Sequence, residues 1–492
     1  MAYLNGLMGA VNPPTGVWES IISAFEGAVG NYVVAIILIT LVLKVVWSAV
    51  ELLTKWNQRK MSLAQAAMQP ELDKVAKKYE KQPALLQQKQ NEIRNRYMGK
   101  TQTGGCIIML VIMALNIAIF FTLFAGLNNM AAYKNVASYD TTKYYYVNSL
   151  YTADSFWENG SISEEEKKEI FADYENISFA IVEGEAYVDE QSGEEVTPKY
   201  MVMSYAAGDT VTELAKIEYK TDFSGGERQK VDGEGNPVFE EDGVTPVMEK
   251  ITSNENIISM LNKYFPATAE GEHDAANDVV IKTTVEGEKE NILYRSQAVQ
   301  FAIMDDVTKV YEEHQEGFLW IKNIWVADSS FNDSIVPYNT LAGQIGANNL
   351  EAGEDRIYNA FMGHIKLEKN GANGYFILPI LCFAVAFLTT FVNELYAKKK
   401  YEKDLAAGKD AKLPQKTGKV ARILMPALMA VFALFYNSVF AIYLLVGQLV
   451  SMALSVPQMM IVDKIIENSE KKKKNNNDGN GNNVVVEYSR KF

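Results

Sequence analysis

Cysteine and histidine are nearly missing from this chain, and their scarcity removes most enzyme chemistry from consideration. The two cysteines, Cys106 and Cys382, both lie in apolar runs, so neither a disulfide framework nor a thiolate metal site can be argued from them. The three histidines, His273, His314 and His364, stand apart in one acidic stretch, with no HExxH pair, phosphate loop or nucleophile elbow. Each reads as an ordinary surface histidine. No catalytic residue, no metal site and no cofactor is expected, and the chain reads as a non-enzyme. A basic region ahead of an apolar stretch is also lacking at the start, so no cleavable signal is expected. The first long apolar run must then act as its own insertion signal.

Apolar runs are what the sequence has in quantity. Five occur, at about 32–53, 104–127, 375–394, 420–437 and 439–461, each close to the ~20 residues a helix needs to cross a bilayer. Charge orders the segments between them. Residues 54–103 carry 11 basic and 4 acidic side chains, 394–422 carry 9 and 4, and 463–492 carry 7 and 5, whereas 131–373 carry 19 and 45. Cytoplasmic loops gather Lys and Arg, so the basic segments are expected inside and the acidic one outside, with the N-terminus outside and the C-terminus cytoplasmic. The expected order is an extracytoplasmic leader with an interfacial helix (1–31), span 1 (32–53), a cytoplasmic hairpin (54–103), span 2 (104–127) and an acidic extracytoplasmic domain with its return segment (128–374). Span 3 (375–394), a cytoplasmic loop (395–419), span 4 (420–437), span 5 (439–461) and a disordered tail (462–492) follow.

Lys44 interrupts the first span near its middle. A charge there costs about 2.5–3.5 kcal/mol on insertion scales, and Thr54, where the run ends, is about 15 Å further along the axis, too far for the lysine to snorkel. Thr40, Lys44, Ser48 and Glu51 follow at spacings of four, four and three, which sets all four on one helix face. Such a stripe faces protein or water. Two readings stand side by side: a structural set in which Thr and Ser bond to their own backbone and the lysine closes an interhelical pair, and a functional cavity. Glu51 lies about 10 Å along the axis from Lys44, so the two are not expected to pair within the helix. Asn116 in the second span, with Gln448 and Ser451 in the last, could face the same interior.

Past the first span, Met61, Ala64, Met68, Leu72, Val75 and Tyr79 recur at three- and four-residue steps, which predicts an amphipathic helix with Pro70 as a possible kink. Pro83 can open a second helix, and Gly99 is expected to end it. A lysine inside the first span, MQPELDKVAKKY from Met68 to Tyr79, and GGC opening the second span stand in one order with GFLWIKNIW from Gly317, YFILPIL from Tyr375 and ILMPALMAVFALFY from Ile423. In these pieces the chain resembles the YidC family of membrane protein insertases, over roughly residues 15–128 and 316–463. It departs from the family at Lys44, where arginine is usual, and at Ile108, Ile112, Ala114 and Leu444, which marks a divergent branch.

The resemblance implies a five-transmembrane-helix insertase core with a cytoplasmic helical hairpin in an all-α polytopic membrane protein, located in a bacterial plasma membrane. It further implies a polar groove open to cytoplasm and lipid, lined by Lys44, Thr40, Ser48, Glu51, Asn116, Gln448 and Ser451. Its clients would be nascent membrane proteins, delivered by the ribosome, the signal recognition particle or the Sec translocon, with the lipid bilayer as the receiving phase. The acidic segment adds an inserted extracytoplasmic α+β domain. Ser163 with Glu166 suggests a capping box, residues 257–265 a helix, and 200–207, 215–223 and 278–285 strands. GFLWIKNIW fits either an interfacial anchor or the core of that domain. Rival functions are a transporter or channel, for which internal repeats would be expected, and a sensor or adhesin using the external domain.

Overall fold

The computed structural model describes residues 7–11, 13–188, 193–240, 242, 244–286, 289–369, 371–406 and 418–478. Residues 407–417 of the basic loop expected at 395–419 and the last part of the expected tail, residues 479–492, lie outside the described residues. The chain divides into a membrane-type unit of Thr15–Asn128, Ala327–Ser329 and Tyr375–Phe492, and an insert unit of Met1–Pro14, Asn129–Val326 and Ser330–Gly374.

The first helix, α1 (Val17–Val29), stops at Gly30, whose φ of 70° is the left-handed conformation glycine adopts without a Cβ clash. Asn31 then opens α2 (Tyr32–Lys78), its Oδ1 accepting the Val34 amide at 3.1 Å. The apolar run and the amphipathic segment are therefore one helix of 47 residues, with Pro70 inside it. Pro83 opens α3 (Pro83–Glu158) as the spacing predicts. This helix does not end at Gly99, nor at Leu127, but runs for 76 residues. A glycine inside a helix costs only about 1 kcal/mol against alanine, too little to stop a helix already nucleated on both sides of it. Between the two helices Met68 and Ile93 are buried with Met61, Ala64, Leu72, Val75 and Tyr97 around them, and Tyr97 donates to Glu71 at 2.6 Å.

The insert unit mixes helices and small sheets. Ser163 accepts the Glu166 amide at 3.2 Å to start α4 (Glu164–Ala172), and a short turn leads into β1 (Ile177–Glu183). The strands β2 (Tyr187–Val188) and β3 (Glu195–Val196) form one hairpin, and β4 (Lys199–Ala207) and β5 (Thr210–Glu218) complete an antiparallel sheet in the order β1, β4, β5. β6 (Glu227–Gln229) pairs with β7 (Met248–Lys250), and Thr252 with Glu255 makes a full capping box for α5 (Ser253–Tyr264). β8 (Val280–Glu286) pairs with β9 (Lys289–Tyr294), followed by α6 (Arg295–Glu313), α7 (Tyr338–Ile345) and α8 (Glu354–Glu368). The core joins Tyr146, Phe156, Phe171, Met201, Tyr264 and Phe361, all fully buried. Of GFLWIKNIW, Ile321, Ile324 and Trp325 belong to the buried set, while Leu319 is exposed at a tight turn between Phe318 and Ile321.

The chain then enters α9 (Ile377–Ala406), α10 (Lys419–Phe435) and α11 (Ser438–Asp478). Its N-terminal amides are capped from a distance. Asp328, fully buried, accepts the Tyr375 amide on Oδ1 at 2.8 Å and the Leu378 amide on Oδ2 at 2.6 Å. Among the described residues four helices are long and apolar enough to cross a membrane: α2, α3 from Ile107 onward, α9 and α11. α10 is apolar but has only 17 residues. α11 runs on to Asp478, past the point at 462 where a disordered tail is expected, because Lys, Glu and Ser extend a helix already nucleated.

Candidate functional site

The polar stripe of α2 lies against α11. Lys44 Nζ donates to Ser451 Oγ at 2.9 Å, and Glu51 Oε1 stands 3.7 Å from the same nitrogen. This corrects the expectation that Lys44 and Glu51 do not pair within the helix. Seven residues are close to two full turns, so the two side chains share a face, and the long lysine stem closes the axial gap that the backbone leaves. The Lys44 and Glu51 side chains keep 26% and 25% of their surface exposed, so the pair is neither sealed nor free in solvent.

Glu51 is held on its other oxygen as well. Gln458 Nε2 donates to Oε2 at 3.4 Å and to the Ser48 carbonyl at 3.2 Å, while Gln458 Oε1 accepts from Lys55 Nζ at 2.7 Å. Lys55 also donates to the Ser455 carbonyl at 3.1 Å. The stripe is thus a ladder between two helices, with one carboxylate between two ammonium groups and a net charge of one positive. Lys55, Ser455 and Gln458 were not singled out from the sequence, although spacing marks them: Lys55 is four residues past Glu51, and Gln458 seven past Ser451.

The other expected residues divide. Thr40, almost wholly buried, donates to the Ile36 carbonyl at 2.6 Å, and Ser48 to the Val45 carbonyl at 2.7 Å, so both hydroxyls bond back to their own helix. Gln448 has both side-chain polar atoms buried without a hydrogen-bond partner among the described residues. Such a group costs about 1–3 kcal/mol unless a partner reaches it. Asn116 is exposed and donates to the Ile112 carbonyl of its own helix at 2.9 Å, and it is not brought to Lys44. Gly447 sets the close approach of the helices: a Cβ there would stand 3.2 Å from Lys44 Cε and 3.8 Å from Thr40 Cγ2.

Below the stripe, charged side chains tie helix ends together. Asp463 of α11 pairs with Arg59 of α2 at 3.2 Å and with Lys400 of α9, and accepts from Tyr396 at 3.1 Å. Arg422 of α10 donates from its Nη2 to both oxygens of Glu394 on α9 at 2.7 Å each, a charge-assisted contact between the two helices. Apolar surface lies elsewhere: Leu110, Val111 and Met113 on α3, and Ile423, Leu424 and Phe435 on α10, are exposed. Large side chains left uncovered along whole helices fit hydrocarbon, not water.

The family model described as 60Kd inner membrane protein matches residues 24–206, which take in α2, the hairpin, α3 and the first strands of the insert. Among curated proteins and among solved structures nothing matches. The match covers less than half of the chain and is a likeness to that family over those residues; together with described helices long and apolar enough to span, it supports a multi-pass membrane protein.

Proposed function

We propose that this chain inserts nascent membrane proteins into a bacterial plasma membrane, with the Lys44 stripe as the point where a client's acidic, translocating segment is received. The observation that carries the reading is a lysine in the middle of an apolar span, bound to a single hydroxyl and still partly exposed. An intramembrane ammonium is costly and points to function. With α10 counted, at about 25 Å of helix by the 1.5 Å rise, the core has five spans, the N-terminus and insert outside and the C-terminus inside.

The physics needs no nucleotide. A polar stripe within the bilayer shortens the apolar distance a hydrophilic segment must cross, and Lys44 attracts carboxylates more strongly there than in water. The client's apolar helix passes into lipid along the exposed faces of α3 and α10, gaining about 25 cal/mol per Å² of buried apolar surface. The basic hairpin is the surface that would meet the ribosome, the signal recognition particle or the Sec translocon.

Lys44→Glu tests the reading. Integration of clients with acidic tails should fall at least tenfold in a reconstituted insertion assay, while clients with neutral tails are less affected. A transporter would instead lose solute flux, and a sensor using the insert would lose neither. Unchanged integration of acidic-tailed clients would overturn the proposal.

A further inference from the structure

We propose that Glu51 is an internal competitor for Lys44, the carboxylate a client's acidic residue must displace, and that it sets how acidic a segment has to be before it is captured. The inference rests on the reading of Lys44 as the client's point of contact.

Distance supplies the first argument. An ammonium has three donors and no acceptor, and Ser451 takes one of them at 2.9 Å. Glu51 Oε1, at 3.7 Å, is within ion-pair range but beyond the 2.7–3.2 Å of a hydrogen bond to nitrogen. Gln458 holds the other oxygen at 3.4 Å. The resident carboxylate is therefore present but poorly bonded, and an arriving carboxylate that closes to about 2.8 Å gains both Coulomb energy and a hydrogen bond.

Charge supplies the second. Lys44 and Lys55 flank Glu51 on one helix face, and the three sum to one positive charge. A client with a single acid exchanges one carboxylate for another at Lys44, and the hydrogen bond it gains is offset by the ion pair that Glu51 loses. A second acid within reach has Lys55 to meet, which at present is bonded only to neutral oxygens of Ser455 and Gln458. Capture should accordingly rise steeply between one and two acids. A partly exposed pair is worth at most about a factor of five in equilibrium, so the barrier is one a client can overcome.

The test uses the full chain in nanodiscs of phosphatidylethanolamine and phosphatidylglycerol, and a single-span client whose tail carries zero, one, two or four aspartates and a photo-crosslinker. In the native protein crosslinking is low with one aspartate and climbs with two. Glu51→Gln should raise the one-aspartate yield about three- to fivefold relative to the zero-aspartate yield of the same variant and flatten the dependence on acid number. The gain should vanish in the Lys44→Gln background, as coupling between the two sites requires. Glu51→Asp, which keeps the charge but withdraws it by one methylene, should give an intermediate gain and serves if the glutamine variant does not fold. A yield that falls with Glu51→Gln as it does with Lys44→Gln makes Glu51 a support for the lysine and overturns the inference, as does a yield that stays unchanged while Lys44→Gln lowers it. Insensitivity to Lys44→Gln itself would instead remove the underlying reading of Lys44.

Discussion

Lys143 and Lys44 each stand where an ammonium is costly, and their partners show different designs. Lys143 and Glu354 are almost entirely buried, with 3% and 1% of their side chains exposed. Lys143 Nζ reaches both Glu354 oxygens at 3.0 and 2.8 Å and Asn254 Oδ1 at 3.1 Å, while Tyr139 and Asn254 donate to the same carboxylate at 2.6 and 2.8 Å. Every strong position on that carboxylate is taken, as a buried ion requires. Lys44, by contrast, keeps a loose acid and an open side. Lys143→Met should destabilise the insert by about 3–5 kcal/mol, because Glu354 is left as an uncompensated buried charge. The double variant Lys143→Met with Glu354→Met should recover most of that loss in chemical denaturation followed by near-ultraviolet circular dichroism. At the exposed pair Lys309 with Asp305, the same kind of truncation should cost under about 1 kcal/mol.

Helix ends, more than helix interiors, separate what the sequence makes legible from what it hides. The span of α2 and the stripe Thr40, Lys44, Ser48 and Glu51 follow from a 3.6-residue period that needs no tertiary information. The strands β4 and β8 and the helix α5 were also readable, since the spacing of apolar residues is a local signal, whereas β5 runs from Thr210 to Glu218 and meets the strand expected at 215–223 only over its last four residues. Four things were not. The passage of α3 through Gly99 depends on weighing one glycine against a long helix on either side of it, the Lys44 to Glu51 contact depends on side-chain reach, and the ladder to Gln458 depends on which helix packs against α2. The cap of α9 is the clearest case, for Asp328 comes from 47 residues upstream of Tyr375. Asp328→Ala should leave two amides without acceptors and cost about 1–2 kcal/mol, the range for a lost N-cap, with Asp328→Asn losing less. Thermal unfolding of the full chain in detergent, and faster amide exchange at Tyr375 and Leu378, would register it.

The balance of 19 basic and 45 acidic side chains in residues 131–373 makes acid the natural probe of the two units. In the insert, hydrogen bonds hold several carboxyls below their ordinary range: Asn176 at Asp173, the Ser224 amide at Asp222, the Asn236 amide at Asp232, Thr245 at Asp242, the Thr252 amide at Glu255 and Asn277 at Asp274. A carboxyl whose folded pKa is depressed stabilises the fold above its unfolded value, here 3.8 for Asp and 4.5 for Glu, and loses that contribution as pH falls through the folded value. Self-repulsion acts the other way, since protonation brings the acidic surface toward zero net charge at about pH 4 and relieves it. Below about pH 4 the segment turns net positive, so a loss of structure there reports the protonated turns and caps together with a returning repulsion, and only the repulsion is screened by added salt. The tryptophans divide evenly for the measurement, with Trp157, Trp320 and Trp325 in the insert unit and Trp18, Trp47 and Trp56 in the membrane unit. With fluorotryptophan incorporated throughout, the fluorine resonances of the first three should lose dispersion below about pH 4 while those of the other three persist, because apolar spans owe little of their stability to carboxylates. Collapse of all six together, or of none by about pH 2.5, would show that the acid-sensitive turns do not govern the insert's stability.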